Sequence, residues 1–114
     1  METLLILTNL PDAASADSLA RQLVESGHAA CVNILPACRS IYRWQGEIEV
    51  AEEVPLLIKS TTGAYAALEE VIRKQHPYEL PDIIAVPIIR GLPGYLAWVE
   101  TETTPSGKGL ATEC

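Results

Sequence analysis

Phenylalanine is absent from this chain, and its aromatic content is four Tyr and two Trp, 5% of 114 residues. Basic residues are scarce as well: eight Lys and Arg stand against fifteen Asp and Glu, a formal net charge of −7. A nucleic-acid binder needs a basic face to displace counterions from phosphates, so nucleic acid is excluded as a partner. Anionic membrane surfaces are disfavoured for the same reason. No apolar run approaches the roughly 18–20 residues of a spanning helix, so no membrane partner is expected. The opening Met1-Glu2-Thr3-Leu4 has neither the basic region nor the cleavage-like site of a leader, and the expected compartment is the cytoplasm. Cysteine is sparse and odd in number. Cys31, Cys38 and Cys114 contain no CxxC pair, which argues against a disulfide framework. Cys31 and Cys38 are expected as buried, reduced thiols, and Cys114 as exposed.

What is there suffices for one core. The hydrophobic fraction is 48%, and the length fits one domain of about 100–150 residues. The expected domain covers residues 1–103, with residues 104–114 a flexible polar tail.

Residues 4–8 form a short apolar run stopped by Asn9-Leu10-Pro11-Asp12, which reads as a buried strand. Ala16, Leu19, Ala20, Leu23 and Val24 then recur at helical spacing, with Asp12 or Ser15 to cap the start and Gly27 to end the helix. From Ala29 the chain is β-forming through Trp44, interrupted at Pro36, which demands an edge or a bulge. Gln45-Gly46 supplies a two-residue reversal, and the return strand runs through Lys59. A second helix follows Thr61-Thr62-Gly63 and ends at Pro77, because the residue before a proline is pushed out of the α region. Residues 83–89 read as another buried strand, and Tyr95, Leu96, Trp98 and Val99 as a short C-terminal helix. The order predicts an α+β fold: a ferredoxin-like split βαβ sandwich with a long β-hairpin.

Length adds a constraint. Sixteen extended residues from Ala29 to Trp44 span about 50 Å, against a compact diameter in the thirties. The hairpin must bend at Pro36 or project. A projecting hairpin carrying Tyr42, Trp44, Ile48 and Val50 invites pairing with another copy, so a homo-oligomer is expected.

Catalytic signatures are missing: no Gly-rich phosphate loop, no HExxH and no GxSxG. Glu47, Glu49, Glu52 and Glu53 read as a solvated acidic edge that deters pairing. The most concentrated segment is Gln75-His76-Pro77-Tyr78-Glu79-Leu80-Pro81-Asp82. Two readings stand side by side there. The imidazole of His76 and the carboxylates of Glu79 and Asp82 suit a borderline divalent ion. Alternatively the prolines shape a helix exit, and His76 and Glu79 satisfy its backbone.

Five stretches together resemble the CutA family of divalent-cation tolerance proteins. They are Ala29-Ala30-Cys31-Val32-Asn33-Ile34-Leu35-Pro36, Ser40-Ile41-Tyr42-Arg43-Trp44-Gln45-Gly46, Lys59-Ser60-Thr61, His76-Pro77-Tyr78-Glu79-Leu80-Pro81 and Tyr95-Leu96-Ala97-Trp98, in family order across residues 4–101. The resemblance implies a ferredoxin-like homotrimer whose hairpins cross to neighbouring subunits. It also implies a non-enzymatic role tied to tolerance of copper and other divalent cations. The metal contact it implies falls on His76 with Glu79. Thr8 and Gln75 stand where some members carry Cys and His, so copper or zinc is expected to bind weakly and to be lost in acid as the imidazole protonates. Tyr42, Trp44, Lys59 and Tyr78 are implied at the inter-subunit cleft or interface. An alternative is a PII-like signalling or adaptor trimer holding a small anionic or nucleotide ligand in that cleft, anchored by Lys59. A hydrolase or isomerase with His76 as general base is the third reading, and it lacks a nucleophile.

Overall fold

The computed structural model describes residues 2–103. The proposed tail, including Cys114, lies outside the described residues.

The chain runs β1 (Thr3–Leu10), α1 (Ala13–Glu25), β2 (Cys31–Ile34), β3 (Cys38–Trp44), β4 (Glu47–Thr61), α2 (Thr62–Gln75), β5 (Ile83–Pro87) and α3 (Pro93–Glu102). The sheet order is β2-β4-β1-β5, every pairing antiparallel, with β3 paired to β4 off this path. Each βαβ unit therefore straddles a strand of the other, the split βαβ pattern of an α+β sandwich.

Local signals explain the elements. Asp12 caps α1 by accepting the Ser15 N–H at 2.8 Å. Gly27, at φ 81°, closes it: the His28 N–H reaches the Leu23 carbonyl and the Gly27 N–H the Val24 carbonyl, a Schellman pair. The hairpin reversal places Gln45 at φ 50° and Gly46 at φ 83°, the type I′ geometry that matches strand twist. Pro36 sits where the alternation breaks. Between the paired positions Ile34↔Leu56 and Cys38↔Glu53 the outgoing strand spends four steps against three on β4. That extra residue is a bulge, which removes Pro36 from the ladder.

The helix-facing side of the sheet is sealed. Leu4, Ile6, Leu10, Leu56 and Ile58 pack with Leu19 and Leu23 of α1 and Leu68 and Ile72 of α2. The opposite side is only partly covered: Lys59 alternates with the buried Ile58 and Ser60, and its ammonium lies 5.8 Å from the Tyr95 ring of α3. Two expectations need correction. Residues 83–89 do not form a buried strand: Ile84, Val86 and Ile89 are exposed, because β5 is an edge strand and α3 leaves its open face bare. Cys38 is exposed on the hairpin, and Cys31 is half-buried; both are free thiols. The molecule measures 50 × 27 × 23 Å, its long axis close to the ~50 Å length of a 15-residue strand such as β4. The hairpin projects.

Candidate functional site

Pro77 forces His76 to φ −74° and ψ 133°, so α2 stops there, although the His76 N–H still reaches the Ile72 carbonyl at 2.8 Å. That turn drives the imidazole inward, where it is 7% exposed. Its Nδ1 accepts the Tyr78 N–H at 3.2 Å, which assigns the proton to Nε2 and makes Nε2 the donor to the Asn9 carbonyl at 2.6 Å. Both ring nitrogens are thereby engaged with backbone. The expected metal ligand His76 is a latch between the segment 77–82 and the end of β1, and Glu79 is exposed to solvent. Among the described residues no three His, Cys, Asp or Glu side chains converge into a metal site.

Asn9 is the other half of the latch. Its Nδ2 donates to Asp82 Oδ2 at 2.8 Å and its backbone N–H approaches Asp82 Oδ1 at 3.4 Å. Partial desolvation raises the Asp82 carboxyl above its ordinary value, against the lowering effect of its own backbone N–H and that of Asn9. Tyr78 closes the arrangement. Its hydroxyl donates to Glu53 Oε2 at 3.0 Å, and its ring lies 4.7 Å from that of His76. Burial first, then the Glu53 hydrogen bond and charge, push the Tyr78 phenol up to about 12.

Between this latched segment and the hairpin lies a groove of about 640 Å³, lined by Asn9, Ser40, Tyr42, Trp44, Glu53, Pro77, Tyr78, Glu79, Leu80 and Asp82. Tyr42 and Trp44 share a face of β3, and β4 register places Glu49, Glu47 and Glu53 on that same face. Of the residues singled out from sequence, Tyr42, Trp44, Tyr78, Glu79 and Asp82 meet here, and His76 lies behind the wall. Lys59 does not join them. It donates to Asn33 Oδ1 at 2.8 Å, beside α3.

Three lining residues escaped the sequence reading as site residues: Asn9, Ser40 and Glu53. Glu53 is the correction that matters. It is 6% exposed, not part of a solvated edge, whereas Glu47, Glu49 and Glu52 are exposed as expected. Its alternation with Glu47 and Glu49 was visible, but its Tyr78 partner, 25 residues away, was not.

Comparison with known proteins agrees across the chain. Residues 4–102 match the family model of the CutA1 divalent ion tolerance protein. The divalent-cation tolerance protein CutA of Thermus thermophilus is 45% identical over 103 residues, 90% of this chain and 99% of that relative. The solved structure of CutA from Xylella fastidiosa superposes with a TM-score of 0.88 at 43% identity, covering 91% of this chain and 100% of that one. The PII-like protein CutA from Nostoc sp. PCC 7120, in apo form, superposes at 0.82 with 37% identity, covering 91% and 98%.

Proposed function

This chain belongs to the CutA1 divalent ion tolerance family, and from that premise we propose that it is a non-enzymatic, cytoplasmic homotrimer that holds a small ligand in the groove beside Tyr78. The groove carries the proposal: it gathers Tyr42, Trp44, Tyr78 and Glu79 around about 640 Å³, within the usual range for small-molecule sites, roughly 300–1,000 Å³. His76 is not free to serve as a general base, because both of its ring nitrogens are bonded to backbone. An anionic ligand finds no basic anchor in this groove, since Lys59 lies away from it and no Lys or Arg among the described residues lines it. The trimer is supported by the outer face of the hairpin, where Ile41, Ile48 and Val50 are each at least 60% exposed on a face a lone subunit cannot cover. Divalent copper or zinc can reach His76 only by breaking its bond to Asn9 or Tyr78, so weak binding is expected.

Native mass spectrometry, with and without added copper(II) or zinc, tests both parts. The expected species is three times 12.3 kDa, with metal retained only at high metal concentration and lost in His76→Ala. A 12.3 kDa species at micromolar concentration refutes the trimer. Tight metal retention unaffected by His76→Ala moves the metal site elsewhere, to Cys31 or Cys38.

A further inference from the structure

We infer that the groove beside Tyr78 is built for an organic cation, an alkylammonium group of choline-like size, and not for a metal ion or an anion. The inference rests on the reading of the groove as a ligand site and names the chemistry of that ligand. Glu53 carries the argument. Its carboxylate lines the groove, is 6% exposed, and has no Lys or Arg paired to it among the described residues. Its Oε2 takes one neutral hydrogen bond, from the Tyr78 hydroxyl, and its Oε1 takes none among the described residues. A largely covered carboxylate with one oxygen open and no counterion favours a positive ligand at Oε1.

The rest of the wall agrees in sign and in kind. Glu79 and Asp82 add carboxylates, and three aromatic side chains, Tyr42, Trp44 and Tyr78, line the groove beside them, the residue types whose π systems attract cations. A small divalent ion needs several hard ligands converging on one point, and no three carboxylates, histidines or cysteines converge among the described residues. Dispersed carboxylates between aromatic faces suit a bulky, weakly hydrated monocation, whose charge is spread and whose alkyl surface packs on rings. The net charge of −7 raises the local concentration of any cation near the protein.

The test compares three probes that share one bulky head: choline, its neutral isostere 3,3-dimethylbutan-1-ol and the anion 3,3-dimethylbutanoate. Each is titrated into the intact protein, and the Trp44 indole and Tyr78 amide NMR signals are followed. Choline is expected to shift both and to bind at least about tenfold more tightly than the neutral isostere, with the anion weakest. Glu53→Gln, which keeps the shape and the Tyr78 contact, is expected to weaken choline about tenfold and to leave the neutral isostere unchanged. Asp82→Asn serves as a second variant if Glu53→Gln fails to fold. Equal binding of the three probes, or preference for the anion, overturns the cation while keeping a ligand groove. If none of the three shifts either signal, the inference falls; if a general small-molecule screen is also silent at those signals, the ligand-groove reading falls with it. Displacement of choline by zinc at equimolar concentration overturns the choice of an organic over a metal cation.

Discussion

The two halves of β4 are chemically unlike. From Val54 to Thr61 alternate side chains are sealed against α1 and α2: Val54, Leu56, Ile58 and Ser60 are all buried. Residues 47–52 have no helix over either face, and Ile48 and Val50 are 60% and 61% exposed. Backbone pairing is equally regular in both halves, since β3 matches β4 from Glu47 to Glu53 and β1 matches it from Val54 to Thr61. The difference shows that hydrogen-bonded register alone does not settle where a strand is stable. The first half leaves its apolar side chains bare within the subunit, and Glu53 marks the crossing.

The largest effect should separate the halves by stability. Ile58→Ala opens a cavity in the sealed half and is expected to cost roughly 2–5 kcal/mol. Val50→Ala in the projecting half should cost under about 0.5 kcal/mol in an isolated subunit, because little of its surface leaves water there. Denaturant titration at two protein concentrations measures both. A larger Val50→Ala cost at high concentration sharpens the comparison, since it reports burial by another copy. Equal costs at every concentration would mean that the hairpin is covered within its own chain.

A charge in the same place gives the next effect. Val50→Asp is expected to leave the subunit fold intact and to disperse the assembly, because desolvating a carboxylate in an apolar contact is costly. Light scattering should move from the mass of the proposed trimer toward 12.3 kDa, while far-ultraviolet circular dichroism holds. Retention of the larger mass would place the interface on another surface, with the bare face of β5 the first alternative.

The sequence carried the body of the fold because its signals are local. Asp12 and Gly27 bracket α1, Gln45-Gly46 turns the hairpin, and Pro36 marks the bulge; each acts within a few residues. The site was half legible for the opposite reason. The partner of His76 is 67 residues away at Asn9, that of Asp82 is 73 away at the same residue, and that of Tyr78 is 25 away at Glu53. No pattern of spacing announces such pairings. Tyr42 and Trp44 came through because strand alternation puts them on one face. Lys59 lies apart from them, bonded to Asn33 beside α3, because it sits near the far end of β4 from the hairpin turn. β5 was misjudged because an apolar run shows that burial is wanted, not whether its own chain supplies the cover.

The smallest effect tests the seam between the halves. Tyr78 ties the segment 77–82 to Glu53, and its phenol is raised from 10.0 to about 12 by burial first and then by the hydrogen bond and charge of Glu53. In the unfolded chain the phenol loses its proton near pH 10, while the folded protein holds it to about pH 12. The contribution is therefore complete below about pH 10, shrinks as pH rises, and is gone above about pH 12, where a phenolate faces the Glu53 carboxylate without a proton between them. Tyr78→Phe has no such proton to lose. The stability advantage of the wild type over Tyr78→Phe should be flat from about pH 8 to about pH 10 and should fall steadily toward about pH 12. Tyrosinate absorbance should show one late-titrating phenol missing from the variant. Tyr65 is also raised, by burial and by Glu69, but it is common to both proteins and drops out of the difference. An advantage that stays constant through the alkaline range would mean that the seam is held by ring packing on His76, and that the Glu53 bond contributes nothing to joining the two halves of β4.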